Sequence, residues 1–239
     1  MKKKPLVIIT GGSSGLGKSL ANKCIEHKLD VCLIARRKNI LEKVKEEFKR
    51  MYINPEIFIL DGNISDESFV NKLFAFLEEK NYYPKWLINC AGIGKFCKPE
   101  ATSRKMIDTV FEANLVGLIL MCSKALRYMA LYECYIINIM STAALRGKAN
   151  ETVYCAAKWG ARGYTEALKI AFKGTKVHVI GVYPGGMNTN FWNDHQYDEF
   201  QLKKYLDSEE VAQEIFERIF IEKDETDKDI IIERKKDDR

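Results

Sequence analysis

The chain has 239 residues, 46% of them apolar and 30% charged, with a formal charge of +5. That balance suits one large folded domain, 1–239, with a sizeable core and a solvated surface. The longest apolar stretch, Leu115 to Cys122, is shorter than the roughly 18 to 20 residues that cross a bilayer. Glycines also end the apolar segment after MKKKP too early for a signal peptide. No membrane span is therefore expected. Seven cysteines without a CxxC pair argue against a disulfide framework or a zinc knuckle, and their odd number points to a reducing, cytoplasmic setting. The basic surplus is local: residues 36–50 hold seven basic and three acidic side chains. This segment reads as a solvated helix face, so no nucleic-acid partner is expected.

Leu6 to Thr10 is a short apolar run ended by glycines and reads as a buried parallel strand. A helix follows over Leu16 to His27, then a strand over Val31 to Ala35 and a charged helix over Asn39 to Met51. Ile57 to Leu60 is a third strand. Asp66 to Glu79 is a helix with Phe69, Leu73, Phe76 and Leu77 at core spacing. Trp86 to Asn89 opens a fourth strand. Thr102 to Met129 reads as mostly helical with Asn114 in its middle, and Tyr135 to Met140 as a fifth strand. A long helix over Thr152 to Phe172, a strand over Val177 to Val182, a helix over Glu209 to Phe220 and a short strand over Asp229 to Glu233 complete the chain. Strands alternating with helices imply a mostly parallel sheet covered on both faces. Ligands in such sheets bind beyond the carboxyl ends of the strands.

The chemical signals fall at those ends. Thr10-Gly11-Gly12-Ser13-Ser14-Gly15-Leu16-Gly17 joins the first strand to the first helix. Its glycines permit a tight turn and close approach of backbone to a pyrophosphate, while the helix amino end offers free N–H groups to it. Walker spacing is absent, which excludes a P-loop. The second strand ends Ala35-Arg36-Arg37, where an NAD-preferring fold places a carboxylate for the ribose 2′-OH. Guanidinium groups there can hold a 2′-phosphate instead, which points to NADP(H). Tyr154 and Lys158 share one helix face at i and i+4, and Ser141 closes the fifth strand. A neighbouring ammonium lowers a phenol pKa from its reference of about 10. Tyr154 can then exchange a proton with a substrate oxygen to which Ser141 also hydrogen-bonds.

With TGGSSGLG at 10–17, NCAG at 89–92, Asn114, Ser141, YCAAK at 154–158 and PGGMNT at 184–189, the chain resembles the short-chain dehydrogenase/reductase family over nearly its whole length. The resemblance implies an α/β fold, a single Rossmann-type three-layer sandwich with a seven-stranded, mostly parallel sheet. It implies hydride transfer between NADPH and a carbonyl substrate, reversibly giving an alcohol, with no metal. Tyr154 would be the general acid/base and Lys158 would hold the nicotinamide ribose. Ser141 would orient the substrate oxygen and Asn114 would hold a water leading to solvent. Cofactor contacts would come from Gly11, Ser13, Ser14, Gly15, Leu16, Gly17, Arg36, Arg37, Asn63, Ile64, Asn89, Ala91, Gly92, Tyr154, Lys158, Pro184, Gly185 and Thr189, with Asn89 also bracing the sheet.

Two positions depart from the family pattern. Asn63 stands where an aspartate commonly contacts adenine, and Cys90 replaces the second asparagine of NNAG and reads as a buried small side chain. A substrate lid is expected near 190–207, with Phe191, Trp192 and His195 in an aromatic-rich segment. A catalytically silent NADP(H)-sensing or scaffold protein of the same fold would be expected to have lost Tyr154, Lys158 or Ser141, and all three are present. Extra apolar residues near 115–129 and small residues in 152–172 point to a homo-oligomer paired through these helices.

Overall fold

The computed structural model describes residues 3–192, 204–222 and 228–234. Seven strands lie in the order β3-β2-β1-β4-β5-β6-β7, every neighbouring pair parallel. They are β1 (Lys4–Thr10), β2 (Val31–Ala35), β3 (Ile57–Asp61), β4 (Tyr82–Asn89), β5 (Cys134–Ile139), β6 (Val177–Pro184) and β7 (Ile230–Ile232). The helices are α1 (Gly15–Glu26), α2 (Lys38–Met51), α3 (Glu67–Glu79), α4 (Arg104–Phe111), α5 (Gly117–Met129), α6 (Thr152–Ala171) and α7 (Ser208–Phe216). Strand order reverses direction between β1 and β4, so their carboxyl ends diverge and leave a crevice.

The central strands are continuous apolar runs because both of their faces are covered. Val7 and Ile9 pack with α1, α2 and α7, while Leu6 and Ile8 pack with α3, α5 and α6. Helix α3 shows how the outer layer is written in sequence. The Asp66 side chain accepts from the Ser68 N–H at 2.8 Å and caps the helix, replacing a bond the backbone cannot make. Val70, Leu73, Phe74 and Leu77 then face the sheet, fully buried, each contributing roughly 1.5–3 kcal/mol.

Three features differ from the sequence reading. Strand β4 begins at Tyr82, ahead of the apolar run at Trp86, because Tyr82 and Tyr83 pair with Lys4 and Pro5 before a register shift that skips Lys85 of β4. The segment with Asn114 is not uniformly helical: Glu112–Val116 forms a π-helical turn between α4 and α5. The combined helix, Arg104–Met129, is also 26 residues long and apolar enough to cross a membrane by length and composition. The exclusion drawn from the shorter run at 115–122 therefore does not hold. Its Leu118, Met121, Cys122, Ala125 and Met129 are buried in the core beside the sheet.

A buried polar ladder runs beneath the site. Asn89 donates to the Asn138 side-chain oxygen at 2.9 Å, Asn138 donates to Thr165 at 2.9 Å, and Thr165 donates to the Ala161 carbonyl at 2.7 Å. It joins β4, β5 and α6. Part of the small-residue pattern in α6 also serves the chain's own packing. A Cβ on Gly160 would meet a Leu115 methyl carbon at 2.9 Å, and Ala157 and Ala161 are buried. The outward stripe of α6 is Thr152, Ala156, Trp159, Gly163, Ala167 and Ile170.

Candidate active site

The carboxyl ends of β1, β2, β4, β5 and β6 surround one cavity of about 750 Å³. At its β1 end the chain turns through Gly11, whose φ of +73° suits glycine. A Cβ there would lie 2.9 Å from the Ala91 backbone. On Gly17, a Cβ would stand 2.4 Å from the Gly11 carbonyl oxygen, so α1 can start this close to β1 only with glycine. Ser14, at the helix N-cap, makes no side-chain capping bond, which leaves amino-end N–H groups for an anion. Thr10 is buried, and its hydroxyl accepts from the Cys90 and Ala91 N–H groups, both at 3.1 Å. This ties the glycine-rich loop to the end of β4.

Arg36 and Arg37 are exposed, line the cavity beyond β2 and make no ion pair among the described residues. Asn63 and Ile64 line the same end, and the Asn63 side-chain oxygen accepts from the Ser65 N–H at 3.2 Å. At the other end Ser141, Tyr154, Lys158 and Asn114 converge with Ala91, Gly92, Pro184, Gly185 and Thr189. Lys158 is buried; its Nζ donates to the Ile139 carbonyl at 3.2 Å and lies 5.8 Å from the centre of the Tyr154 ring. Asn114 reaches across from the π-helical turn, donating to the Ile93 and Val110 carbonyls, both at 2.9 Å, and accepting from the Ile93 N–H at 3.3 Å.

Electrostatics differ from the sequence expectation at Tyr154. Burial raises its phenol pKa, and a hydrogen bond with Ser141 acts in the opposite direction but is the smaller effect. Burial also pushes the Lys158 ammonium down to about 8. The low-dielectric pocket disfavours both charged forms, and the group that acts to lower the phenol is Ser141, not Lys158. Burial likewise pushes the Cys90 thiol up to about 12, as fits an inert small side chain.

Of the residues expected to touch a cofactor, Asn89 does not line the cavity. It is buried in the polar ladder, donating also to the Cys122 sulfur at 3.2 Å. Phe191 and Trp192 do line the cavity. Phe191 packs against Tyr154, ring centres 5.8 Å apart, and Phe96 packs on the same tyrosine at 5.6 Å. His195 and most of the expected lid fall outside the described residues. Sequence reasoning missed the contacts of Thr10 with the end of β4, and Phe96, Lys148 and Glu151. The last was findable, because it immediately precedes the helix that carries Tyr154.

Residues 5–199 match the family model described as short chain dehydrogenase. The chain belongs to that family. Among curated relatives of this chain, the 3-dehydrosphinganine reductase of Danio rerio is 27% identical over 212 residues, covering 87% of this chain and 64% of its own. The chain thus spans less than two thirds of that relative. A short-chain dehydrogenase/reductase from Vibrio parahaemolyticus has a TM-score of 0.80 at 28% identity, covering 95% of this chain and 100% of its own. The alcohol dehydrogenase of the archaeon Thermococcus sibiricus, complexed with 5-hydroxy-NADP, shares the fold. It has a TM-score of 0.88 at 21% identity and covers 98% and 100% of the two chains.

Proposed function

We propose that the protein is an NADP(H)-dependent reductase of carbonyl compounds, acting reversibly on the corresponding alcohols with Tyr154 as general acid/base. The observation that carries this reading is the convergence of Ser141, Tyr154, Lys158 and Asn114 with a glycine cradle and an open helix amino end in one cavity. The amino end of α1 would hold the pyrophosphate, and Arg36 with Arg37 the 2′-phosphate. Lys158 would hydrogen-bond the nicotinamide ribose.

A bound nicotinamide supplies or takes up the hydride at the substrate carbon. The protein's own residues handle the oxygen. Ser141 donates a hydrogen bond that strengthens as charge develops there. Tyr154 delivers the proton in reduction and removes it in oxidation. Phe96 and Phe191 cover Tyr154 and exclude water from the transfer. Tyr154→Phe should keep NADPH binding and the unfolding transition while removing at least a hundredfold of carbonyl turnover, near the low end of what acid–base catalysis supplies. Absorbance at 340 nm reads the turnover, and retained kcat on a working substrate would reject the role.

We also infer a homo-oligomer paired through the outward stripe of α6, where Trp159 is 48% exposed. Seven cysteines without a disulfide support a reducing, cytoplasmic setting for this chemistry.

A further inference from the structure

The substrate end of the cavity holds one charged pair that hydride transfer does not use. Glu151 is 9% exposed and Lys148 is its ion-pair partner at 3.8 Å, with side-chain exposures of 11% and 29%. That separation exceeds a hydrogen bond. Both residues line the cavity together with Tyr154, Phe191 and Trp192. Glu151 also starts α6: its carbonyl accepts from the Cys155 N–H at 2.7 Å. Three residues on, Tyr154 stands in the first turn of α6.

A carboxylate withdrawn from water is costly unless a cation answers it at close range. Lys148 does so incompletely: burial raises the Glu151 pKa despite the ammonium nearby. The same negative charge contributes to raising the pKa of the Tyr154 phenol. A cationic group seated between Glu151 and Tyr154 would offset both effects. The apolar wall of Phe191 and Trp192 is left for an uncharged remainder.

We propose that Glu151 anchors a protonated amine carried on the carbon next to the reacting one, so that the substrates are amino ketones and their vicinal amino alcohols with an apolar body. This rests on the carbonyl-reductase reading above and names the substrate class of that site. Lys148 holds the place of the substrate ammonium when the site is empty. Its longer, more exposed side chain can swing to solvent.

Stable alcohols test this with the intact protein and saturating NADP+. 1-Amino-2-octanol should exceed both 2-octanol and 2-hydroxyoctanoate in kcat/KM by tenfold or more, the range of a charge-assisted hydrogen bond. Glu151→Gln should bring the amino alcohol to 2-octanol ratio near one, mainly by raising KM for the amine. Lys148→Ala should increase the ratio, and this keeps the test open if the first variant folds poorly. A purely structural role for the pair would lower both substrates in proportion and leave the ratio intact, which would overturn the proposal. A wild-type ratio near one, or preference for the hydroxy acid through Lys148, would also overturn it. Calorimetry on the NADP+ complex separates the two readings. Tighter binding of the amine, levelled by Glu151→Gln, with no turnover of any alcohol, would count against hydride transfer and uphold the anchor. Turnover of 2-octanol without a binding difference would overturn the anchor alone.

Discussion

Truncating Asn114 to alanine tests whether the π-helical turn is held by this one side chain. Asn114 is 1% exposed. Its amide bridges α4 to the loop after β4, giving two hydrogen bonds at 2.9 Å and taking one at 3.3 Å. Alanine leaves the Val110 carbonyl and both polar groups of Ile93 without these partners. A buried polar group stripped of its bond costs about 1–3 kcal/mol. The bond to Val110 is buried, whereas those to Ile93 are partly open to solvent and are discounted, giving a total of about 2–4 kcal/mol. That is a large share of the roughly 5–15 kcal/mol that holds a domain folded. The loosened loop also borders the cavity: a Cβ on Gly92 would lie 2.7 Å from the Asn114 side-chain oxygen. NADPH affinity should therefore fall with stability. Urea unfolding followed by circular dichroism reads the first, and nucleotide fluorescence titration reads the second. Asn114→Asp keeps the acceptor, loses both donors and adds a buried charge, so it should be less stable than Asn114→Ala. An unfolding midpoint equal to wild type in either variant would refute the reasoning.

Arg36→Ala should weaken NADPH binding about 10- to 150-fold, the loss of a charge-assisted contact, and leave NADH affinity within twofold; equal losses for the two nucleotides would reject a 2′-phosphate site. Sedimentation velocity at micromolar concentration should give a species of twice or four times the 27.5 kDa chain, and Trp159→Lys should shift it toward the single chain. A wild-type species at the single-chain mass would remove the pairing.

Much of this was legible in the sequence because parallel strands buried on both faces are written as unbroken apolar runs. Leu6 to Ile9 and Val31 to Ile34 have that form, and the chemical residues follow them directly. What was hidden depends on partners far along the chain. Nothing in Tyr82-Tyr83-Pro84-Lys85 looks like a buried strand until β1 is beside it. Gly160 reads as room for another molecule, yet Leu115 of the same chain fills that room. The π-helical turn leaves no apolar gap in the sequence around Asn114. Reasoning from Lys158 alone gave the wrong direction for the Tyr154 phenol, because local spacing carries a neighbour's charge but not the depth of burial.

The polar ladder of Asn89, Asn138 and Thr165 fixes alignment as well as position. In the sheet, Asn89 stands opposite Asn138 and Thr10 opposite Asn89. Sliding β5 along β4 by one residue would turn each amide toward the other layer and strand several buried donors at once. Apolar neighbours such as Ile88 and Ile137 tolerate a slip far better, since one aliphatic contact replaces another. The three polar residues thus act as a vernier: they make misalignment of the strand ends that line the cavity all-or-none, and a substitution at one of them should be tolerated only with a matching change at the next.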